Sequence, residues 1–405
     1  MGTVPACSCD AGRAGDLAAS CAETARPGGG LVTRDGQREA TRRHRAPKPP
    51  KHLADLTPGE RDLWAEDLGL PRMRARQVAR HYFARLEREA AAMTDLPAEG
   101  REQLVARLLP ELLTEVTRRT ADGGATIKAL YRLFDSAALE TVLMGYPGRV
   151  TLCVSSQAGC AMACPFCATG RDGLRRNLSS AEMVEQARLA AALTAGGGLG
   201  PDVPRRLSNV VFMGMGEPLA NYRAVMTAVR AMTAPAPAGL GLSARNLTIS
   251  TCGLTPGIDR LAGEGLAVRL ALSLHAPDDE ARDRLVPINR RYGVQATIAA
   301  AHRYFQATGR RVSIEYALIR DVNDQAWRAS LLAERLLQYG RGWVHVNPIP
   351  LNPVPGSIWT ASRPAAQEEF RRRLEMAGLT VTMRDTRGQE IDGACGQLAA
   401  REVDN

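Results

Sequence analysis

The stretch RVTLCVSSQAGCAMACPFCATG, residues 149–170, decides how the chain is read. It opens as a β-branched, apolar run and passes directly into a loop of small residues carrying Cys160, Cys164 and Cys167. Downstream the pattern of strand, loop and helix recurs. LSNVVFMG (207–214), NLTIST (246–251), VRLALSLH (268–275), RVSIEYALI (311–319) and WVHVNPIP (343–350) are short apolar runs, and helix-period segments follow most of them. SSAEMVEQARLAAALTA (179–195) starts with Ser179 and Glu182 at the spacing of a capping box. About six β/α units in succession predict an α/β fold with a parallel sheet, doubly wound or curled into a barrel. In both architectures the chemistry sits at the carboxyl ends of the strands, and the cysteine loop lies there.

Upstream the pattern differs. ALYRLFD (129–135) and LETVLMG (139–145) read as a hairpin. Residues 53–118 read as helical, and MRARQVARHYFARL (73–86) alternates arginines with apolar positions to give a basic face. Residues 1–50 read as a disordered basic tail, with Gly28, Gly29 and Gly30, the run TRRHRAPKPPKH (41–52), and Cys7, Cys9 and Cys21 as free thiols.

The chain has 405 residues, a net charge of +9 and a pI of about 9.3. The basic balance suits a polyanionic partner, while 4% aromatic content argues against stacking platforms for single strands. No run approaches the length of a membrane span, and the start lacks a signal peptide's pattern. The expectation is a cytoplasmic protein, whose clustered cysteines bind metal or do chemistry. A G-x-x-x-x-G-K phosphate loop is absent, and no strand leads into GGGLG (196–200) to make it a dinucleotide fingerprint. Three thiols are an incomplete tetrahedral set. Zinc, completed in space by a distant ligand such as His275, and a [4Fe–4S] cluster with one open iron both remain open on these residues.

The C-x3-C-x2-C loop with Phe166 before its last cysteine resembles the signature of radical S-adenosylmethionine enzymes, and GMGEPLAN (214–221) resembles their Gly-Glu-Pro segment. TLCVSSQAGC, RRNLS, VVFMGMGEPLANY, SLHAPDDEARDRLVPIN, IEYALI, NPIPLNPVPGS and RDTRGQEIDGACGQL, in that order over residues 48–400, are similar to the Cfr/RlmN family of RNA adenine methyltransferases. The resemblance implies a partial (β/α)6 barrel behind a small N-terminal helical RNA-binding domain and a β-hairpin linker. The implied division is a tail (1–50), a helical accessory domain (51–120), the linker (121–148), the barrel (149–390) and a C-terminal segment (391–405) bearing a methyl-carrier cysteine.

The family's chemistry explains why two further cysteines are needed. Carbon 2 of adenine lies between two ring nitrogens and will not attack the electrophilic methyl of S-adenosylmethionine. A thiolate will. The family loads the methyl on a cysteine first. A second S-adenosylmethionine, cleaved at the reduced cluster, then provides a radical that activates this methyl for addition to the ring. A second cysteine resolves the protein–RNA adduct by forming a disulfide. By resemblance, Cys395 is the methyl carrier, set in a flexible Gly/Ala segment, Cys153 is the resolving cysteine and Glu140 the proton acceptor. Cys160, Cys164 and Cys167 hold the [4Fe–4S] cluster. Gly216, Glu217, Ser250, Ser273, Leu274, His275 and Asn352 contact S-adenosylmethionine, of which two are used per turnover. Cys252 matches no such position and reads as structural. The implied partners are 23S rRNA, transfer RNA and an electron donor such as flavodoxin or ferredoxin, with the protein a monomer and no membrane involved. The competing readings are a Cfr-like enzyme acting on carbon 8 and, from another class, a zinc-bound RNA-binding module without catalysis.

Overall fold

A computed structural model describes residues 48–399 apart from 172, 385 and 386. The expected tail, with Cys7, Cys9 and Cys21, lies outside the described residues up to residue 47.

The chain begins with short helices, α1 (Pro58–Asp67), α2 (Arg72–Ala79) and α3 (Arg101–Leu108). Thr57 caps α1, its hydroxyl accepting the N–H of Glu60. The helix expected over 73–86 is interrupted, since α2 passes into a π turn over residues 80–84. Its arginines are also partly spent: Arg72 pairs with Glu66 and Arg76 with Asp62. Arg80 and Arg85 remain exposed.

The helical reading to residue 118 is corrected. Strand β1 (Leu113–Ala121) follows α3 and pairs antiparallel with β2 (Thr126–Leu133), which pairs with β3 (Ala138–Tyr146). LTEVTRRTA is rich in β-branched residues, and its exposed arginines do not forbid a strand at a sheet edge. The expected hairpin is thus two strands of a three-stranded meander.

β3 joins β4 (Arg149–Cys153), and from there the sheet becomes parallel: β4, β7 (Asn209–Phe212), β8 (Leu247–Thr251), β9 (Arg269–Ser273), β10 (Val312–Leu318) and β11 (Val344–Pro350). These six strands lie in chain order. No switch point reverses them, so the sheet winds one way, as a partial barrel does and a doubly wound sheet does not. Helices α5 (Ser180–Ala195), α6 (Tyr222–Thr233), α7 (Thr255–Ala262), α9 (Val294–Thr308), α10 (Ala326–Leu337) and α11 (Pro364–Met376) cover it, and two shorter helices, α4 (Ala168–Arg171) and α8 (Asp279–Leu285), complete the series. Phe212, Ile249, Leu270, Leu272 and Ile314 are buried between the layers, each contributing roughly 1.5–3 kcal/mol by burial. No helix among the described residues is long and apolar enough to cross a membrane.

Helix α5 is the junction of the molecule. Ser179 and Glu182 form the expected capping box. Asp55 adds a second cap, accepting from Ser180 Oγ at 2.6 Å and Ala181 N–H at 2.8 Å. Arg176 bridges Glu182 and Asp135 of the β2–β3 turn. Farther along, Arg188 donates to both oxygens of Glu185, which also accepts the Tyr82 hydroxyl at 2.6 Å. This network locks the N-terminal helices against the barrel.

Its removal has a definite sign. Burial alone would raise the Glu185 pKa, but the Arg188 hydrogen bonds and charge, with Tyr82, outweigh burial and hold it below its ordinary 4.5. The stabilisation is therefore present above that value and is lost as pH falls through the lower folded-state value. Arg188→Met strands a buried carboxylate and should cost about 3–5 kcal/mol at neutral pH. Urea denaturation at pH 7 and pH 3 should show the variant's deficit shrinking in acid; an equal deficit at both would contradict this account.

Candidate active site

The cysteine loop depends on a close backbone approach. β5 (Gln157–Gly159) pairs antiparallel with β6 (Leu174–Asn177). Gly159 has a φ of +78°, and a Cβ there would lie 2.0 Å from the Gly173 carbonyl oxygen, so only glycine lets the ribbon close. Cys160 N–H donates to the same carbonyl at 2.9 Å, and Cys167 N–H donates to the Cys164 carbonyl at 3.1 Å.

The three thiols line one cavity at the carboxyl ends of the parallel strands, with about 1000 Å³ of empty space up to its mouth. That is the size of a ligand site. Gly216, Glu217, Ser250, Ser273, His275 and Asn352 line it too. Leu274 does not; its side chain is buried in the main core, and its carbonyl accepts from Arg282 Nε at 2.9 Å.

The donor set fits an iron–sulfur cluster. Burial pushes the Cys160 thiol up to about 12 and raises Cys167, which marks a dry site, and a bound metal deprotonates such thiols outright. Among the described residues no three His, Cys, Asp or Glu side chains converge closely enough to hold one ion. A cluster takes each thiolate on a different iron, so it needs thiols spread around a shared cavity. His275 is otherwise engaged. Its Nδ1 accepts the Ala317 N–H at 3.0 Å, and burial, with Arg282, lowers its pKa to about 3. The ring is neutral with its proton on Nε2, and it packs edge-on to Phe166 at 5.1 Å.

Glu217 is buried beside the thiols. Its oxygens accept the N–H groups of Leu219 at 3.0 Å and Cys252 at 2.8 Å, and burial raises its pKa against those hydrogen bonds. Ser250 and Ser273, at the ends of adjacent strands, have their hydroxyls 3.2 Å apart. Cys252, expected to be structural, also lines this cavity with its thiol against Cys164.

A second cavity, with about 510 Å³ of empty space, is lined by Cys153, Cys395 and Arg384. Cys395 and Arg384 line the first cavity as well, so they stand in the wall between the two. Both Cys153 and Cys395 are free thiols; the disulfide implied by resemblance is not formed in this conformation. Burial and then the charge of Cys395 push Cys153 up to about 12, with Arg384 opposing. Cys153 is therefore protonated at neutral pH. Cys395 is the largest electrostatic partner of the Arg384 guanidinium. Arg384 lies 3.6 Å from Glu315, which accepts from Asn347 and Ser313 at 2.6 Å each. Arg384 and Glu315 were not singled out from the sequence, although RDTRG and IEYALI contain them. The one signal is a charged residue inside a largely apolar strand, Glu315 of β10; nothing local marks Arg384, which lies outside the strands.

The backbone around Cys395 is hydrogen-bonded to the cysteine loop and to Asn352 in this conformation. Asn352 Nδ2 donates to the Cys395 carbonyl at 2.9 Å, Ala168 N–H to the Gly396 carbonyl at 2.8 Å, and Thr169 Oγ1 to the Leu398 carbonyl at 2.6 Å. Asn352 Oδ1 accepts from Gln389 at 2.9 Å, so both ends of this side chain serve the C-terminal segment. Glu140 lines neither cavity. It borders a third, on the other side of the segment, with Lys128 and Ala399.

Gly216 carries the tightest constraint at the cofactor wall. Its φ is +101°, and a Cβ would come 2.5 Å from the Gln157 Cβ. Gly216→Ala should cost about 1–3 kcal/mol through overpacking and weaken S-adenosylmethionine binding measured by calorimetry. Gly148→Ala, where nothing lies within 4 Å, should bind normally. Equal binding by the two variants would contradict the constraint.

Residues 154–332 match the model of the Radical SAM superfamily. The chain is 62% identical over 88% of its length to a "Probable dual-specificity RNA methyltransferase RlmN" of Nocardioides sp., covering 95% of that protein. It is 60% identical to the protein of the same description from Kineococcus radiotolerans, covering 87% of this chain and 90% of that one. A crystal structure of a radical SAM methyltransferase from Sphaerobacter thermophilus superposes with a TM-score of 0.82 at 46% identity, over 87% of this chain and 100% of that chain. A [4Fe–4S] cluster and S-adenosylmethionine are the cofactors of such enzymes, and the thiol-lined cavity fits them. The chain belongs to the RlmN family of radical SAM RNA methyltransferases.

Proposed function

We propose that this enzyme methylates carbon 2 of adenine, at position 2503 of 23S rRNA and position 37 of transfer RNAs, through a methyl group carried on Cys395. The observation that supports it most is the position of Cys395 in the wall shared by the cofactor cavity and the Cys153 cavity. The dual specificity in the relatives' descriptions supports two RNA substrates.

Each residue then has a task. Gly216 and Glu217 receive the methionine amino group, and Ser250, Ser273, His275, Asn352 and the backbone of Leu274 shape the rest of the cofactor site. Arg384 is the charged group beside Cys395, whose sulfur takes a methyl group from S-adenosylmethionine by displacement, with S-adenosylhomocysteine as the leaving group. Cys160, Cys164 and Cys167 would hold the cluster, which together with S-adenosylmethionine would supply the radical chemistry that activates the thioether methyl on Cys395 by loss of one hydrogen. The activated carbon on Cys395 would join adenine C2, linking protein and RNA covalently, and the unpaired electron left on the ring would return to the cluster. Glu140 accepts the C2 proton once the Ala399 N–H leaves its Oε2. Cys153 closes onto the Cys395 sulfur as a disulfide while the sulfur–carbon bond breaks, the carbon keeping the bonding pair and taking the proton released by Cys153 to become the methyl group, and the methylated base departs. An external disulfide reductant resets the pair.

The helices of residues 51–120 serve as an accessory RNA-binding domain joined to the barrel by the linker over 121–148. Exposed Arg80 and Arg85 fit phosphate contact better than the paired Arg72 and Arg76. The enzyme acts as a cytoplasmic monomer, with a flavodoxin or ferredoxin as electron donor.

Two cysteine variants test this reading. Cys395→Ala should retain iron and sulfide yet methylate no RNA. Cys153→Ala should still load Cys395 and attack the base, but then stall. Denaturing electrophoresis of Cys153→Ala with substrate RNA should reveal a crosslinked band, absent when Cys395 is also alanine. Turnover by Cys395→Ala, or a crosslink that persists without Cys395, would refute the carrier.

A further inference from the structure

One buried ion pair on the meander holds both ends of the segment that bears Cys395. Lys128 Nζ on β2 lies 2.7 Å from Glu140 Oε1 on β3, and the two side chains are only 12% and 5% exposed. The antiparallel register sets Lys128 opposite Val142 and Leu130 opposite Glu140. The two charges are therefore diagonal neighbours on one face of the sheet. Each has a second partner in the C-terminal segment. Lys128 Nζ donates to the Asp392 carbonyl at 3.2 Å, and Glu140 Oε2 accepts the Ala399 N–H at 2.9 Å. Cys395 lies between these two anchors. The chain turns sharply between them, with φ of +52° at Asp392 and +86° at Gly396.

A buried ion pair is a poor source of net stability, because desolvating each ion costs several kcal/mol. Two apolar side chains would fill the same volume. What the charged pair adds is direction: a donor and an acceptor fixed toward particular backbone groups of a remote segment. The other contacts of the segment come from the cysteine loop and from residues 352–353. Only the ion pair grips it from the meander at both ends, among the described residues.

We propose that Lys128, through its pair with Glu140, positions the Cys395 thiol in the wall between the cofactor cavity and the Cys153 cavity by fixing Asp392 and Ala399. Lys128 lines neither cavity, so it is a positioning residue. The inference rests on the proposed function only in taking Cys395 as the methyl carrier.

The test uses the full-length holoenzyme with three substitutions: Lys128→Met, Lys128→Gln and Lys128→Arg. Hydrogen exchange by mass spectrometry follows a peptide covering 392–399, with a peptide from β4 as the control for folding. Peptide mass spectrometry also follows methyl loading of Cys395 by S-adenosylmethionine without RNA, and calorimetry gives the cofactor Kd. In Lys128→Met the 392–399 peptide should exchange faster, with the β4 peptide unchanged. Loading should fall on the order of a hundredfold, the cost of a misplaced reacting group, at an unchanged Kd. Lys128→Arg should recover most of both readouts, and Lys128→Gln should follow Lys128→Met should the latter fail to fold. Unchanged 392–399 exchange, unchanged loading, or loading lost together with cofactor affinity would each overturn the proposal. Failure of the wild-type enzyme to load Cys395 at all would instead overturn the carrier reading, and the exchange comparison would still decide the anchoring.

Discussion

Glu315 on β10 is level with Ser273 on β9 and with Asn347 on β11. That parallel register sets Ser273, Glu315 and Asn347 side by side as one polar layer across three neighbouring strands. The side-chain period along a strand is two, so a slip by one residue would turn this layer outward and bring apolar neighbours into the mouth. Ser250 reaches Ser273 across the next pairing, and Glu315 gathers Ser313, Asn347 and Arg384. The thiol loop, the Gly-Glu-Pro turn and the C-terminal segment all meet above it, because parallel strands end at one rim.

Two kinds of constraint hold the groups at that rim. Around the thiol-lined cavity the constraint is steric: Gly159 in the ribbon under the cysteine loop and Gly216 in the cavity wall leave no room for a Cβ. At the segment around Cys395 it is polar. Asn352, Ala168, Thr169, Lys128 and Glu140 all bond to its backbone. Hydrogen bonds of this kind can be exchanged for bonds to water at a modest net cost of about 1 kcal/mol each. A loop held so is ordered at rest and still able to move, which suits a thiol that meets a cofactor on one side and a second thiol on the other.

Much of this was legible in the sequence, because the signals are local. The six parallel strands showed as short apolar runs, the α5 cap as Ser179 and Glu182, and the thiol loop as three cysteines after a strand. The expected cluster and cofactor residues share one cavity, Leu274 excepted. What escaped reading depends on distance along the chain. Lys128 meets Asp392 across 264 positions, and Ala399 meets Glu140 across 259; neither contact leaves a periodic trace. The same holds for Arg384 beside Cys395, whose proximity needs the return of the chain past β11. Strand β1 was missed for another reason. An exposed edge strand buries little, so its pattern of Thr and Arg carries no alternation of apolar and polar residues.

On the proposed route the methyl group reaches adenine by way of Cys395 rather than directly from the cofactor. Such a methyl gives up one hydrogen before it joins the ring and regains one afterwards. Nucleoside mass spectrometry of RNA treated with S-adenosylmethionine bearing a trideuterated methyl group, over several turnovers in ordinary water, measures this directly. Transfer through Cys395 should yield 2-methyladenosine whose methyl group keeps two deuteria. A product methyl that keeps all three would contradict it.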